Sequence, residues 1–273
     1  MRFGTCGNLT ATGPDKTGIE TIETLKACGY DFIELPLSEM MDLTEEERAA
    51  IVRRVDRSGL KSEVVNNLFP RKMKLTGPAV DRARIRSYYE EALPFAQRLG
   101  AECVVFGSPF AKSYPIGFPK ETAMEQLTDL HREVDTFAAG IGLRILIEPI
   151  HSFESNLVNT FAEGVALCRR LQPKATDVLL DFYHMTREQE SPDILRQYGG
   201  EYLRHIHFAC PFYPGEGERV FPLQRGEWPP YEPFISILKE IGYDGRISIE
   251  ARTSDFSSHA GRSLALLREM FHG

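Results

Sequence analysis

Four apolar segments in the second half of the chain end in the same way. Ile145-Leu146-Ile147 runs into Glu148 and Pro149, and Val178-Leu179-Leu180 runs into Asp181. Leu203 to Ile206 runs into His207, and Ile247-Ser248-Ile249 runs into Glu250. Short, β-branched-rich runs without alternation read as strands buried on both faces, as in a parallel sheet. A carboxylate at the mouth of such a strand is costly unless something pairs with it.

The earlier chain carries four more strand-like runs: Arg2 to Asn8, Phe32 to Pro36, Lys61 to Phe69 and Cys103 to Gly107. Helical stripes fall between the runs. Ile19, Ile22 and Leu25 share a face over Thr17 to Cys28, with Gly29 placed to end the helix. Thr44 with Glu47 and Thr160 with Glu163 read as capping boxes, opening helices that end at Gly59 and Leu171. Asp81 to Leu99 is a helix with Pro94 inside it, which predicts a kink or break. Glu121 to Ala139 follows, then a short helix from Ser191-Pro192 to Tyr198, in which Ser191 is the expected N-cap. The last strands, Asp177 to Tyr183, Leu203 to Phe208 and Arg246 to Ala251, alternate with helices at Pro233 to Ile241 and Ser257 to Phe271. Ser108 to Pro119 and Ala209 to Pro230 read as loops. The second of these is long enough to be a lid or binding loop.

Eight strand-then-helix units with short connections argue for a parallel sheet covered by helices, and at this length for a closed (β/α)8 barrel. One barrel domain over residues 1–273 is the expected organisation. Composition does not change that reading: 42% hydrophobic and 26% charged are ordinary for a globular chain. A net charge of −7 disfavours nucleic-acid or anionic-membrane partners. No apolar run is long enough for a membrane span, and the N-terminus does not read as a signal peptide. The five cysteines are odd in number and form no CxxC pair, so reduced thiols in a cytoplasmic protein are expected. Neither a GxGxxG turn nor a GxxxxGK[ST] loop is present.

In a (β/α)8 barrel the chemistry lies at the C-terminal strand ends, where Glu148, Asp181, His207 and Glu250 all map. Taken singly, each is more often a cap or a salt-bridge partner. Four on successive strand ends point to one metal site. Three carboxylates and an imidazole suit one divalent ion such as Mn²⁺, Mg²⁺ or Co²⁺, with Zn²⁺ less favoured. Two glutamates at such a site suggest proton transfer next to a sugar carbonyl. The metal would polarise the carbonyl and stabilise an enediolate, while one glutamate takes the proton and the other returns it. The outcome is epimerisation, or aldose–ketose isomerisation if the proton returns to the adjacent carbon. His205 shares parity with His207 and reads as a hydrogen-bonded core histidine one layer deeper.

Several segments resemble a known family from end to end. GAECVVFGSPFAKSYPIGF is similar to its fourth strand and following loop. IEPIHSFESNLVNT resembles its EPLNRYE-type motif, LLDFYHM its LDTFHM motif, HIHF its HxH strand and ISIEA its final glutamate strand. The family is the sugar phosphate isomerase/epimerase group of xylose-isomerase-like TIM barrels, which includes the D-tagatose (D-psicose) 3-epimerases and hydroxypyruvate isomerases. The resemblance implies that Glu148, Asp181, His207 and Glu250 bind the metal, with Glu148 and Glu250 as the acid/base pair. It also implies that Glu154, His184 and Arg219 contact oxygens of a sugar or sugar phosphate, with Arg225 a nearby alternative in register to Arg219. Two departures bear on substrate choice. His151-Ser152 replaces the family's Asn-Arg, and Lys112 stands where an arginine is common and lacks its bidentate geometry.

Rival readings are of different weight. An apurinic-site endonuclease of related fold would need a histidine-rich multi-zinc cluster and a basic face. A two-metal hydride-shift isomerase would need extra carboxylates after the last strand, where Asp255 is the candidate. A metal-dependent dehydratase or lyase would use the same proton abstraction. A non-catalytic sugar-binding barrel would not need an acid on each substrate face. Aromatic residues of the mouth loops, Phe110, Tyr114, Phe118, Phe212, Tyr213 and Trp228, could stack on a sugar or pack a lid. Helix faces of such barrels often pair, so a homo-oligomer is compatible with the sequence.

Overall fold

The computed structural model describes residues 1–215, 217–224 and 231–272, so Arg225 and Trp228 lie outside the described residues. Eight parallel strands close into a barrel: β1 (Arg2–Cys6), β2 (Phe32–Pro36), β3 (Val64–Asn66), β4 (Cys103–Phe106), β5 (Arg144–Ile147), β6 (Thr176–Asp181), β7 (Leu203–Phe208) and, after a hairpin, β10 (Arg246–Ile249). Their order around the barrel is β1-β10-β7-β6-β5-β4-β3-β2. The hairpin pairs β8 (Cys210–Tyr213) with β9 (Gly217–Val220) in antiparallel fashion.

Helices cover the outside. They are α1 (Ile22–Cys28), α2 (Leu37–Met41), α3 (Glu45–Ser58), α4 (Arg82–Arg98), α5 (Pro109–Lys112) and α6 (Lys120–Gly140), followed by α7 (Phe161–Leu171), α8 (Phe182–Arg187), α9 (Ile194–Tyr202), α10 (Glu232–Glu240) and α11 (Phe256–His272). Among the described residues, no helix is long and apolar enough to cross a membrane.

The barrel interior is filled by Phe32, Val64, Cys103, Val105, Leu146 and Leu179, all buried. Gly4 makes room for Phe32, because a Cβ on Gly4 would lie 2.4 Å from the Phe32 ring. A larger apolar layer fills the space between barrel and helices. The lower rim is set by charge. Glu63 accepts from Arg2 Nε at 3.1 Å and from Arg246 Nε at 2.7 Å, while Asp177 accepts from Arg144 Nε at 2.6 Å and lies 3.3 Å from Arg204 Nε. Arg204 is the extra residue of a bulge. Val178 pairs with Leu203 but Leu179 pairs with His205, so Arg204 turns outward and the register above it sets Asp181 opposite His207.

The expected capping box forms at Thr44, with Glu47 N donating to Thr44 Oγ1 at 3.3 Å and Thr44 N to Glu47 Oε2 at 2.8 Å. Only half of it forms at Thr160, where Glu163 N donates to Thr160 Oγ1 at 3.2 Å while Glu163 Oε2 accepts from Asn159 N. Other expectations are corrected. The third strand is only Val64–Asn66, because Asn67 takes a left-handed φ of 58° and turns the chain away. Helix α4 runs unbroken across Pro94. The proline sits on the exposed face, where water can satisfy the Glu90 carbonyl that its missing N–H leaves free. Ser191 does not cap α9. Its hydroxyl accepts from Asp193 N at 3.3 Å in a preceding turn, and the helix starts at Ile194 and runs to Tyr202. The sixth strand ends at Asp181 and the chain enters helix α8 there. The two supposed loops contain helix α5 and the β8–β9 hairpin.

Candidate active site

Glu148, Asp181, His207 and Glu250 come together at the C-terminal mouth, all buried, each offering a ligand atom within 4.8 Å of the others. Their strands are consecutive in the wall, β5, β6, β7 and β10, so the two glutamates form the outer ends of the arc with Asp181 and His207 between them. His207 Nδ1 lies 3.0 Å from Glu148 Oε1 and 2.7 Å from Glu250 Oε2. Asp181 doubles as the N-cap of α8, its Oδ1 accepting from Tyr183 N at 2.7 Å, which fixes the carboxylate and leaves Oδ2 facing the cluster.

Gly107, just beyond β4, allows this packing. A Cβ there would stand 2.0 Å from Glu148 Oε2. Lys112 lies beneath the same residue. It is fully buried, and its ammonium donates to the Glu148 carbonyl oxygen at 2.9 Å. Burial lowers its pKa to about 8.

Arg219 reaches in from β9. Its Nη2 donates to Asp181 Oδ2 at 2.6 Å and to Glu250 Oε2, and its Nε donates to the Glu250 carbonyl oxygen at 3.1 Å. The residue holds a left-handed φ of 54°. Asn67 and Ser108 share that conformation, and all three line one cavity of about 530 Å³ over the cluster. Left-handed non-glycine residues cost roughly 1–3 kcal/mol each and gather where a site is over-determined by its surroundings.

Glu154 and His184, both expected to meet substrate, also line this cavity. His184 Nδ1 has no protein partner, so a buried polar atom is left for whatever enters. Burial, with the Arg219 charge, holds His184 neutral. Glu154 is half-exposed at the rim, 3.3 Å from His151 Nε2.

One residue escaped the sequence reading. Glu34, inside β2, is fully buried, with Oε2 2.9 Å from His205 Nε2 and Oε1 2.9 Å from His207 Nε2. His205 is therefore a satisfied core histidine on that side, as expected. Burial would raise the Glu34 pKa, but the two imidazoles outweigh it and hold the carboxylate ionised. Its effect is to fix the His207 ring so that Nδ1 faces the cluster. The only sequence signal was an acid in the middle of an otherwise apolar strand.

The electrostatics fit a bound cation. Burial, reinforced by the neighbouring Glu250 charge, pushes both Glu148 and Asp181 upward, whereas at Glu250 the charges of Arg219 and His207 overcome burial and lower it. Three carboxylates crowd one imidazole, and a guanidinium lies against two of them. A divalent ion held by Glu148, Asp181, His207 and Glu250 would relieve that crowding with ligands of the right type. Two smaller groups, Glu34–His205–His207 and Cys6–His207–Glu250, share His207 and form its deeper surroundings.

The sequence profile of the xylose isomerase-like TIM barrel family matches residues 22–270. A D-psicose 3-epimerase from Agrobacterium fabrum is 26% identical over 237 residues, spanning 84% of this chain and 77% of its own. A ketose 3-epimerase from Arthrobacter globiformis is 25% identical over 278 aligned positions, spanning 99% of this chain and 91% of its own. Among solved structures, D-psicose 3-epimerase with D-tagatose from Clostridium cellulolyticum H10 superimposes with a TM-score of 0.82, covering 99% of both chains at 22% identity. The chain belongs to the xylose isomerase-like TIM barrel family, and the curated relatives it matches are isomerase-class enzymes.

Proposed function

We propose that this isomerase is a divalent-metal-dependent ketose 3-epimerase in which Glu148 and Glu250 move the proton. The observation that carries the reading is the arc of four strand ends, with a glutamate at each extremity and Asp181 and His207 between them. A sugar lying across that arc has one carboxylate on either side. Each can take the hydrogen on the carbon next to the carbonyl from its own face, and the other can deliver a proton to the opposite face. The bound ion, Mn²⁺, Mg²⁺ or Co²⁺ by the oxygen-rich donor set, would supply Lewis-acid polarisation of the carbonyl.

The remaining residues bind and orient. Arg219 and His184 offer donors to sugar oxygens, and Glu154 accepts from a hydroxyl at the rim. Lys112 and Gly107 keep Glu148 in place from below and beside. The hairpin that carries Arg219 is tied to the segment after β10, with Arg252 N donating to Arg219 O at 2.8 Å and Phe221 N to Arg252 O at 3.0 Å, so the arginine is presented from a held strand.

The test is deuterium uptake from D₂O into a panel of ketoses, together with metal content. About one divalent ion per chain and washed-in deuterium at the carbon next to the carbonyl are expected. Glu148→Gln and Glu250→Gln should each lose that exchange by about 10²–10⁴-fold while keeping the wild-type circular dichroism. Retention of the substrate hydrogen would instead indicate hydride shift, and loss of a hydroxyl a dehydratase. Metal binding with no exchange on any ketose would sink the epimerase reading.

A further inference from the structure

We infer that the cleft next to the active site binds an anionic group, a phosphate or a carboxylate, carried by the substrate at the end remote from its reacting carbonyl. This rests on the ketose epimerase reading and names its substrate class. The cleft encloses about 980 Å³, more than the 530 Å³ over the metal-ligand cluster, and the two cavities share Phe110 and Glu154 as lining.

The outer cleft is lined by Lys16, Arg71, Lys72 and Lys74 against Glu39, Asp42 and Glu154. Of these carboxylates, Asp42 is the one paired with a lysine. Glu39 accepts from Ser38 Oγ at 2.5 Å, Asp42 from Lys72 Nζ at 3.0 Å, and Glu154 faces His151. The cations other than Lys72 have neutral partners or none. Lys74 donates to the Phe110 carbonyl oxygen at 3.2 Å, and neither Lys74, Lys16 nor Arg71 has a carboxylate partner among the described residues. The lining thus sets four cations against three carboxylates, a local excess of one positive charge on a chain of net charge −7.

Arg71 is the best placed of them. Its guanidinium lies 3.7 Å from the centroid of the Phe110 ring, on the partition between the two cavities. That contact anchors the guanidinium over the ring, and its N–H groups, without a carboxylate partner among the described residues, remain for a bidentate anion. The loop that carries it is held in shape. Met73 and Leu75 are buried between the exposed cations, Leu75 N donates to Ala111 O at 3.0 Å, and Thr76 Oγ1 to Lys112 O at 2.8 Å. The loop therefore presents its charges without first having to be ordered.

The experiment uses the full metal-loaded chain and two independent readouts. Inorganic phosphate is titrated by ³¹P NMR against wild type, Arg71→Ala and Lys74→Ala. Deuterium exchange is measured for a neutral ketohexose, its 6-phosphate and the corresponding keto-uronate. Phosphate is expected to bind wild type, to weaken with rising salt, and to be lost in Arg71→Ala. At least one charged ketose is expected to have a KM about tenfold or more below that of the neutral sugar, and Arg71→Ala should erase that difference without changing kcat or the neutral KM. Arg71→Lys should recover part of it. Which charged ketose gains tells phosphate from carboxylate. Phosphate binding that depends on Arg71, with no ketose exchanged, would keep the anion site and remove the epimerase reading. Equal KM for neutral and charged ketoses, with no phosphate binding, would overturn the inference and leave the epimerase intact.

Discussion

The two ends of the barrel handle buried charge in opposite ways. At the N-terminal rim, Glu63 sits between Arg2 and Arg246, and Asp177 between Arg144 and Arg204, so each acid has two cations against it. At the C-terminal mouth, Glu148, Asp181 and Glu250 share one histidine and one arginine, and the first two are pushed toward holding their protons. The lower rim is a structure at rest. The upper one is crowded with like charge until something cationic enters it. A scaffold can carry such a mouth because the cost is met elsewhere, and under the proposed function it is where metal and substrate would bind.

Metal removal should separate the ends most widely. A chelator is expected to abolish exchange and to lower the melting temperature. Restoring the ion at about 100 times its Kd should return about 2.7 kcal/mol of stability. Asp181→Asn should lose that metal-dependent increment, and Glu63→Gln should keep it. Calorimetric scans with and without metal decide this, and an equal increment in both variants would refute the assigned ligand set.

Two glycines make a sharper pair. Gly107→Ala would place a methyl against the Glu148 carboxylate, which is the free end of a side chain and can move. Activity should fall by about 10²-fold with little change in stability, since misplacement by about 1 Å is enough. Gly4→Ala would meet the Phe32 ring in the packed interior, which cannot move as easily. It should cost about 1–3 kcal/mol in urea unfolding and leave kcat nearly unchanged in the folded fraction. If both variants lost stability alone, the upper glycine would have no role in placing Glu148.

The smallest effect belongs to the lower rim and depends on pH. Burial alone would raise the Glu63 pKa, but hydrogen bonds from Arg2 and Arg246 outweigh it and lower it. Its contribution is therefore fully present above the unfolded value of about 4.3 and is lost as pH falls through the lower folded value. Glu63→Gln should be less stable than wild type by about 1–2 kcal/mol at pH 7, and the gap should narrow below about pH 4.3. A gap that widened on acidification would contradict the arrangement.

Much of the site could be read in the chain because its residues end their own strands. Glu148, Asp181 and Glu250 each follow an apolar run and close or directly follow their strands, His207 is the penultimate residue of β7, and the barrel puts all such ends at one mouth. Glu34 could not be read this way. It lies within its strand, and its partners His205 and His207 sit on a strand separated from β2 in the wall by β1 and β10, so their contact crosses the interior. Arg219 was legible through family resemblance, but the hairpin that carries it was not, because β8 and β9 are four residues each and too short to give a period.

What the sequence determined by itself was the alternation of strand and helix and the acid or imidazole closing each late strand, since both follow from local periodicity and burial. What only the tertiary structure decided was which charges meet. Closure of the barrel brings Glu34 to His207, the bulge at Arg204 sets Asp181 level with His207, and the hairpin delivers Arg219 to Asp181 and Glu250. Those contacts join residues far apart in the chain, and no local pattern records the register that makes them neighbours.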